Sequence, residues 1–188
     1  MADKKTHLAV IGGGPGGYAA AFLAADLGLE VTLVDPEVNP GGVCLYRGCI
    51  PSKALLHAAK VIDEARRAKA WGLNFSGLKI QHTRLREWKN EVVARLTGGL
   101  GQLVKQRKIN YLQATAAFQD KRALAVKAVD GGQSSLAFEY ALQTDLFDAL
   151  FASLGALAKA DGQVTQAEIQ MVESLMQQMR ISGDDRQR

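Results

Sequence analysis

The run HLAVIGGGPGGYAAAFLAADLGLEVTLVD, residues 7–35, restricts the fold more than any other part of the chain. Leu8 to Ile11 is a short apolar run ending in glycine and reads as a buried strand. A glycine turn follows, then an alanine-rich helix with glycine at its end. EVTLVD is β-branched and closes on Asp35, which predicts a second strand. Strand, turn, helix and strand in so short a stretch make one βαβ unit.

Within that unit Gly12, Gly14 and Gly17 have the spacing G-x-G-x-x-G. Gly12 permits a tight turn out of the strand, Gly14 a close approach of backbone to a pyrophosphate, and Gly17 close packing of helix on strand. Phosphates would lie at the helix amino terminus, where free N–H groups and the dipole favour anions. Asp35, at the end of the second strand, is suitably placed to accept from a ribose hydroxyl. The glycines alone do not separate NAD from FAD.

The two cysteines of the chain, Cys44 and Cys49, stand in GGVCLYRGCIPSK, residues 41–53. A tetrahedral metal site needs about four ligands, and His7, His57 and His82 are scattered too widely to complete one. Two inert buried cysteines leave Gly48, Pro51 and the close spacing without a reason, whereas a reversible disulfide accounts for them. Pro51 suits a first helical turn, so a helix is expected from about Pro51 to Ala70 with Cys49 at or just before its start. There the dipole would favour a thiolate. Lys53 lies one turn along the same face and adds positive charge. Cys44, on the preceding loop, is expected to be the more exposed and better attacking thiol.

A long helix should follow, with Leu85, Trp88, Val92, Leu96, Leu100 and Leu103 as its apolar stripe. Gly98, Gly99 and Gly101 should weaken or bend it. INYLQATAAF, ALAVKAV and SLAFEYA then predict three short strands in an antiparallel meander. After Leu142 two amphipathic helical patterns follow, separated by Asp161-Gly162, with Thr165 and Glu168 as a capping box for the second. Charge changes at the same place. Residues 143–188 hold four Lys/Arg and seven Asp/Glu, while residues 1–142 hold 19 and 12. The basic residues of the first part carry few aromatics between them and accompany no nucleic-acid motif, so they read as solvated helix faces. Neither a signal peptide nor a spanning helix is indicated, and a cytoplasmic protein without a membrane partner is expected.

Taken together, IGGGPGGYAAAF, VTLVD and GGVCLYRGCIPSK resemble the amino-terminal flavin segment of the dihydrolipoamide dehydrogenases in the pyridine-nucleotide-disulfide oxidoreductase family. The resemblance covers roughly residues 6–142. It implies an α/β fold: a partial Rossmann-like FAD-binding βαβ unit with an antiparallel β-meander. It implies FAD on Gly12, Gly14, Gly17 and Asp35, and a redox disulfide in which Cys49 contacts the flavin and Cys44 exchanges with a dithiol or lipoyl-type substrate. Lys53 would sit near the isoalloxazine. Tyr46 and Arg47 depart from the commoner Asn-Val of this loop. The family's second flavin contact, its NAD motif and its His-Glu acid–base pair have no counterpart here.

Residues 145–181 resemble instead the helical region of tellurite-resistance (TerB-like) proteins and of DnaJ-like co-chaperones. The expected organisation is therefore a truncated FAD-binding domain over residues 1–142 and a partial TerB-like helical hairpin over 143–188. The function expected is the flavin and disulfide half of a dithiol–disulfide oxidoreductase. The alternative is a non-enzymatic fusion or interaction protein whose helical tail binds a protein partner. The oligomeric state is left open.

Overall fold

A computed structural model describes residues 4–144. The expected helical hairpin and TerB-like resemblance fall outside the described residues. A division of the chain falls between Asp145 and Leu146. Among the described residues five strands and four helices occur in the order β1 (Lys4–Ile11), α1 (Pro15–Asp26), β2 (Val31–Asp35), α2 (Gly42–Tyr46), α3 (Cys49–Arg67), α4 (His82–Gln106), β3 (Asn110–Phe118), β4 (Ala123–Ala128) and β5 (Gln133–Gln143). A single 3-10 turn, Ala68–Trp71, closes α3. Among the described residues no helix is long and apolar enough to cross a membrane.

β1 pairs in parallel with β2 on one side and β5 on the other, and β2 pairs in parallel with β3. The first half of β3 follows β2, and its second half turns to pair antiparallel with β4. β4 in turn pairs antiparallel with the first part of β5. Two long strands thus serve both halves, and the pairing closes on itself. β1 begins earlier than the apolar run Leu8–Ile11 suggests, because Lys4, Lys5 and Thr6 pair with Leu136, Ala137 and Phe138. That partner is over a hundred residues away and leaves no local signal.

Alternation along each strand sorts side chains into two cores. Ala9 and Ile11 face inward with Val34, Ala114, Leu124, Val126, Leu136 and Phe138. Val10, Val31 and Leu33 face the helices, against Ala21 and Ala24 of α1 and Val104 of α4. Every residue of β2 is buried, as a central parallel strand requires.

α4 runs without a break through Gly98, Gly99 and Gly101. Its buried residues are Val93, Thr97, Gly101 and Val104, one stripe away from the large apolar residues, and Leu96 is exposed. The reason is close approach. A Cβ at Gly101 would lie 2.0 Å from Asn39 Oδ1, and Thr97 Cγ2 sits 3.1 Å from where a Cβ on Gly41 would stand. Small residues, not large ones, let this helix pack on residues 39–41. At its end Arg107 bonds Asp26 (3.0 Å) and lies over the Phe22 ring, joining α4 to α1.

Candidate active site: a glycine turn beside a thiol pair

β1 delivers the chain to Gly12, whose φ of 99° only glycine adopts freely. Gly12 N donates to Val34 O (2.9 Å), which keeps the turn in register with β2. α1 then starts at Pro15 with Gly14, which has no side chain of its own, as its N-cap. Gly17 is where helix meets strand. A Cβ there would lie 1.9 Å from Gly12 O and 3.1 Å from Thr144 Oγ1. Close helix–strand packing is thus a physical requirement at Gly17.

Asp35 is buried at the end of β2. Its Oδ2 accepts from Gly13 N at 2.6 Å and its Oδ1 from Glu37 N at 2.9 Å. The carboxylate therefore shapes the glycine turn and the start of the following loop at once. Burial pushes its pKa above the ordinary carboxylate value, and the two backbone donors act against that rise.

Thr144 is a site residue that the sequence reading missed. Its buried hydroxyl donates to Ile11 O and Gly12 O, both at 3.1 Å, and its N–H donates to Ile11 O. It closes the turn from the β5 side. A threonine just past a strand end carries no motif by itself, and only the β1–β5 register reveals it.

The cysteine segment docks directly on this turn. Gly41 N donates to Gly13 O at 2.7 Å. Gly42 has φ +57°, and a Cβ there would stand 2.5 Å from Gly14 Cα. The close backbone approach at Gly14 is thus made by Gly42, two residues before Cys44.

Cys44 lies in α2, not in a loop, and α3 begins at Cys49 itself rather than at Pro51. Gly48 is the N-cap of α3 and carries no side chain over the helix start. Both cysteines are free thiols and both are half-buried, so Cys44 does not stand out by exposure. Cys44 interacts with the Cys49 thiol and with the Cys49 backbone. Burial first, then the neighbouring Cys49, push Cys44 up to about 11. The expectation that Cys44 is the more exposed thiol is not met, since both cysteines are half-buried. Lys53 is exposed on α3, and its charge acts against that rise at Cys44.

Tyr46 and Arg47 tie α2 to the loop after β2. Tyr46 Oη donates to Asn39 O, and Arg47 pairs with Glu37. All seven expected site residues belong to this neighbourhood or to the helix leading from it. Among the described residues no group of three or more His, Cys, Asp or Glu could hold a metal ion. A cleft of about 390 Å³, lined by Lys5, Arg122 and Phe138 among others, lies near the amino-terminal end of β1, away from the thiols.

The family model for pyridine nucleotide-disulphide oxidoreductases matches residues 6–169 and so runs past Leu142, the expected end of the flavin segment. A dihydrolipoyl dehydrogenase of Haemophilus influenzae is 47% identical over 140 residues, 74% of this chain and 29% of the relative. Dihydrolipoyl dehydrogenases of Buchnera aphidicola and Vibrio cholerae are 46% and 43% identical over 64% and 69% of this chain. The chain spans under a third of the length of these relatives.

Proposed function

The chain belongs to the pyridine nucleotide-disulphide oxidoreductase family, and on that premise we propose that it is the flavin and dithiol part of a dihydrolipoyl dehydrogenase-like enzyme. The observation that carries the proposal is the docking of Gly41 and Gly42 on Gly13 and Gly14. It joins a dinucleotide turn and a thiol pair into one site.

FAD is the cofactor that family membership implies, and the residues present fit it. The turn is built of glycines, and it leads into the N-terminus of α1, where the helix dipole favours an anion. Gly12, Gly14 and Gly17 would shape the turn on which the phosphates lie. Asp35 has lone pairs left on both oxygens for a ribose hydroxyl beyond its bonds to Gly13 and Glu37. When bound, FAD supplies a two-electron acceptor for the protein's dithiol.

The chain's own chemistry is thiol–disulfide exchange with a lipoyl-type dithiol. In the oxidised protein a substrate thiolate attacks Cys44 Sγ, the Cys44–Cys49 bond breaks, and Cys49 leaves as thiolate at the start of α3. The second substrate thiol then attacks the substrate sulfur of the mixed disulfide and releases Cys44. The substrate leaves as a disulfide, and two electrons remain on the protein as two thiols. Cys44 is the leaving group of the second step and takes up a proton readily, because burial favours its neutral form.

The test uses the full chain, oxidised to the Cys44–Cys49 disulfide and mixed anaerobically with reduced lipoamide. One equivalent of lipoamide disulfide and two newly alkylatable protein thiols are expected. A protein that forms no internal disulfide, or whose disulfide survives reduced lipoamide, would sink the proposal.

A further inference from the structure

Residues 45–48 bridge the two cysteines, and two of their side chains reach back to the segment after β2. The Tyr46 hydroxyl donates to Asn39 O at 3.0 Å and accepts from Asn39 N at 3.3 Å. Arg47 Nη2 meets Glu37 Oε1 at 2.5 Å, with the Glu37 side chain only 25% exposed. The segment they grip is itself fixed. Asp35 accepts from Glu37 N, Tyr111 Oη donates to Glu37 O at 2.8 Å, and Gln113 Nε2 donates to Pro36 O. Pro40 is fully buried. By contrast α2 spans only Gly42–Tyr46. A helix so short does not hold itself, so its orientation is set by what it is tied to.

We infer that Tyr46 and Arg47 are positioning residues for the thiol pair. They hold the bridge between Cys44 and Cys49 against the 37–39 segment so that the sulfurs meet, and they thereby favour closure to a disulfide. The inference rests on the reading of Cys44 and Cys49 as a redox pair. Ring closure is costly when its ends are free and cheap when they are already in place. Here Cys44 in α2 and Cys49 at the start of α3 are close enough to interact before any bond forms. A purely electrostatic role for Arg47 has a different signature. Glu37 neutralises Arg47, so removing either partner would change the charge near the thiols in opposite senses.

The test is the equilibrium of the full chain with glutathione buffers and no added flavin, read by thiol alkylation and mass. In that reaction Cys44 and Cys49 lose two electrons and two protons as their S–S bond forms. The S–S bond of glutathione disulfide breaks and gives two glutathione thiols. Tyr46→Phe should lower the closure constant about three- to tenfold, and Arg47→Gln about two- to fivefold. Arg47→Lys, which keeps a charge for Glu37, should recover most of the loss. Glu37→Gln should fall in the same direction as Arg47→Gln. Circular dichroism of each reduced variant checks the fold, and Tyr46→Phe with Arg47→Lys decides the matter should Arg47→Gln not fold.

Unchanged closure constants in folded Tyr46→Phe and Arg47→Gln would overturn the inference, since loss of a purely structural contact destabilises both redox forms alike. Opposite movements of Glu37→Gln and Arg47→Gln would also overturn it and assign the effect to charge. A wild-type chain that does not close would overturn the redox-pair reading and this inference with it. A chain that closes normally while its variants do not respond would leave that reading intact and remove only the inference.

Discussion

Replacing Gly17 by alanine puts a methyl group 1.9 Å from Gly12 O and 3.1 Å from Thr144 Oγ1. The first neighbour is backbone of a buried turn and cannot step aside as a side chain could. To restore ordinary contact α1 must draw back by about 1.5 Å, and the packing of Ala21 and Ala24 on Val10, Val31 and Leu33 moves with it. Overpacking of this kind costs about 1–3 kcal/mol, and loosening Thr144 from Ile11 O and Gly12 O costs about 1 kcal/mol more. The higher helix propensity of alanine returns about 1 kcal/mol at most. The net expectation is a loss of about 2 kcal/mol in a domain whose stability is about 5–15 kcal/mol. Gly99 is the matched control, a helical glycine with nothing within 4 Å of its missing Cβ. Gly99→Ala should gain about 0.5–1 kcal/mol. Urea unfolding of the reduced chain, followed by circular dichroism, measures both through shifts in midpoint at constant slope. Equal midpoints for Gly17→Ala and Gly99→Ala would refute the reasoning, because the two would then share one environment.

Three further outcomes follow from the same geometry. Because burial is the larger cause and Cys49 the smaller, Cys49→Ala should bring Cys44 part of the way from about 11 toward 9.0, as read from thiolate ultraviolet absorbance against pH. Since the folded value is the raised one, Cys44 favours the folded state below pH 9 and loses that contribution as pH rises toward 11. Asp35→Asn leaves one carbonyl oxygen for two donors, Gly13 N and Glu37 N, and should cost about 1–3 kcal/mol. With the Asp35 pKa raised by burial, the native protein binds more protons than the unfolded chain, so its advantage over Asp35→Asn should narrow as pH rises from acid toward neutral in urea titrations. Gly101→Ala crowds the Asn39 side chain and should cost about 1 kcal/mol. The double variant with Asn39→Ala should recover most of that loss in a double-mutant cycle.

The local part of the fold was legible because its signals are local. The βαβ unit announced itself through β-branched runs, the glycine spacing and an alanine-rich helix, each within one window of sequence. The extension of β1 to Lys4 was not legible, because it depends on pairing with Leu136–Phe138 from the other end of the described chain. The buried face of α4 was misread for a related reason. Hydrophobic periodicity counts large side chains, while Thr97 and Gly101 pack by being small. At the site, the glycines, Asp35 and both cysteines could be named from spacing alone, whereas their neighbours could not. Thr144 has no motif. The half-burial of Cys44 follows from the docking of residues 41–46 on Gly13, Gly14 and α4, which spacing cannot reveal. Exposure of a thiol is a tertiary property, and a loop reading of α2 misassigned it.

The central claim is that the glycine turn and the thiol pair act as one flavin-linked site. The most direct test is the visible absorbance of the full chain loaded with FAD, freed of unbound cofactor, and mixed anaerobically with reduced lipoamide. A retained flavin band that bleaches in the wild type, but persists in Cys44→Ser and in Cys49→Ser, is the expected result. A flavin band that bleaches equally in the serine variants, or a protein that retains no FAD, would contradict it.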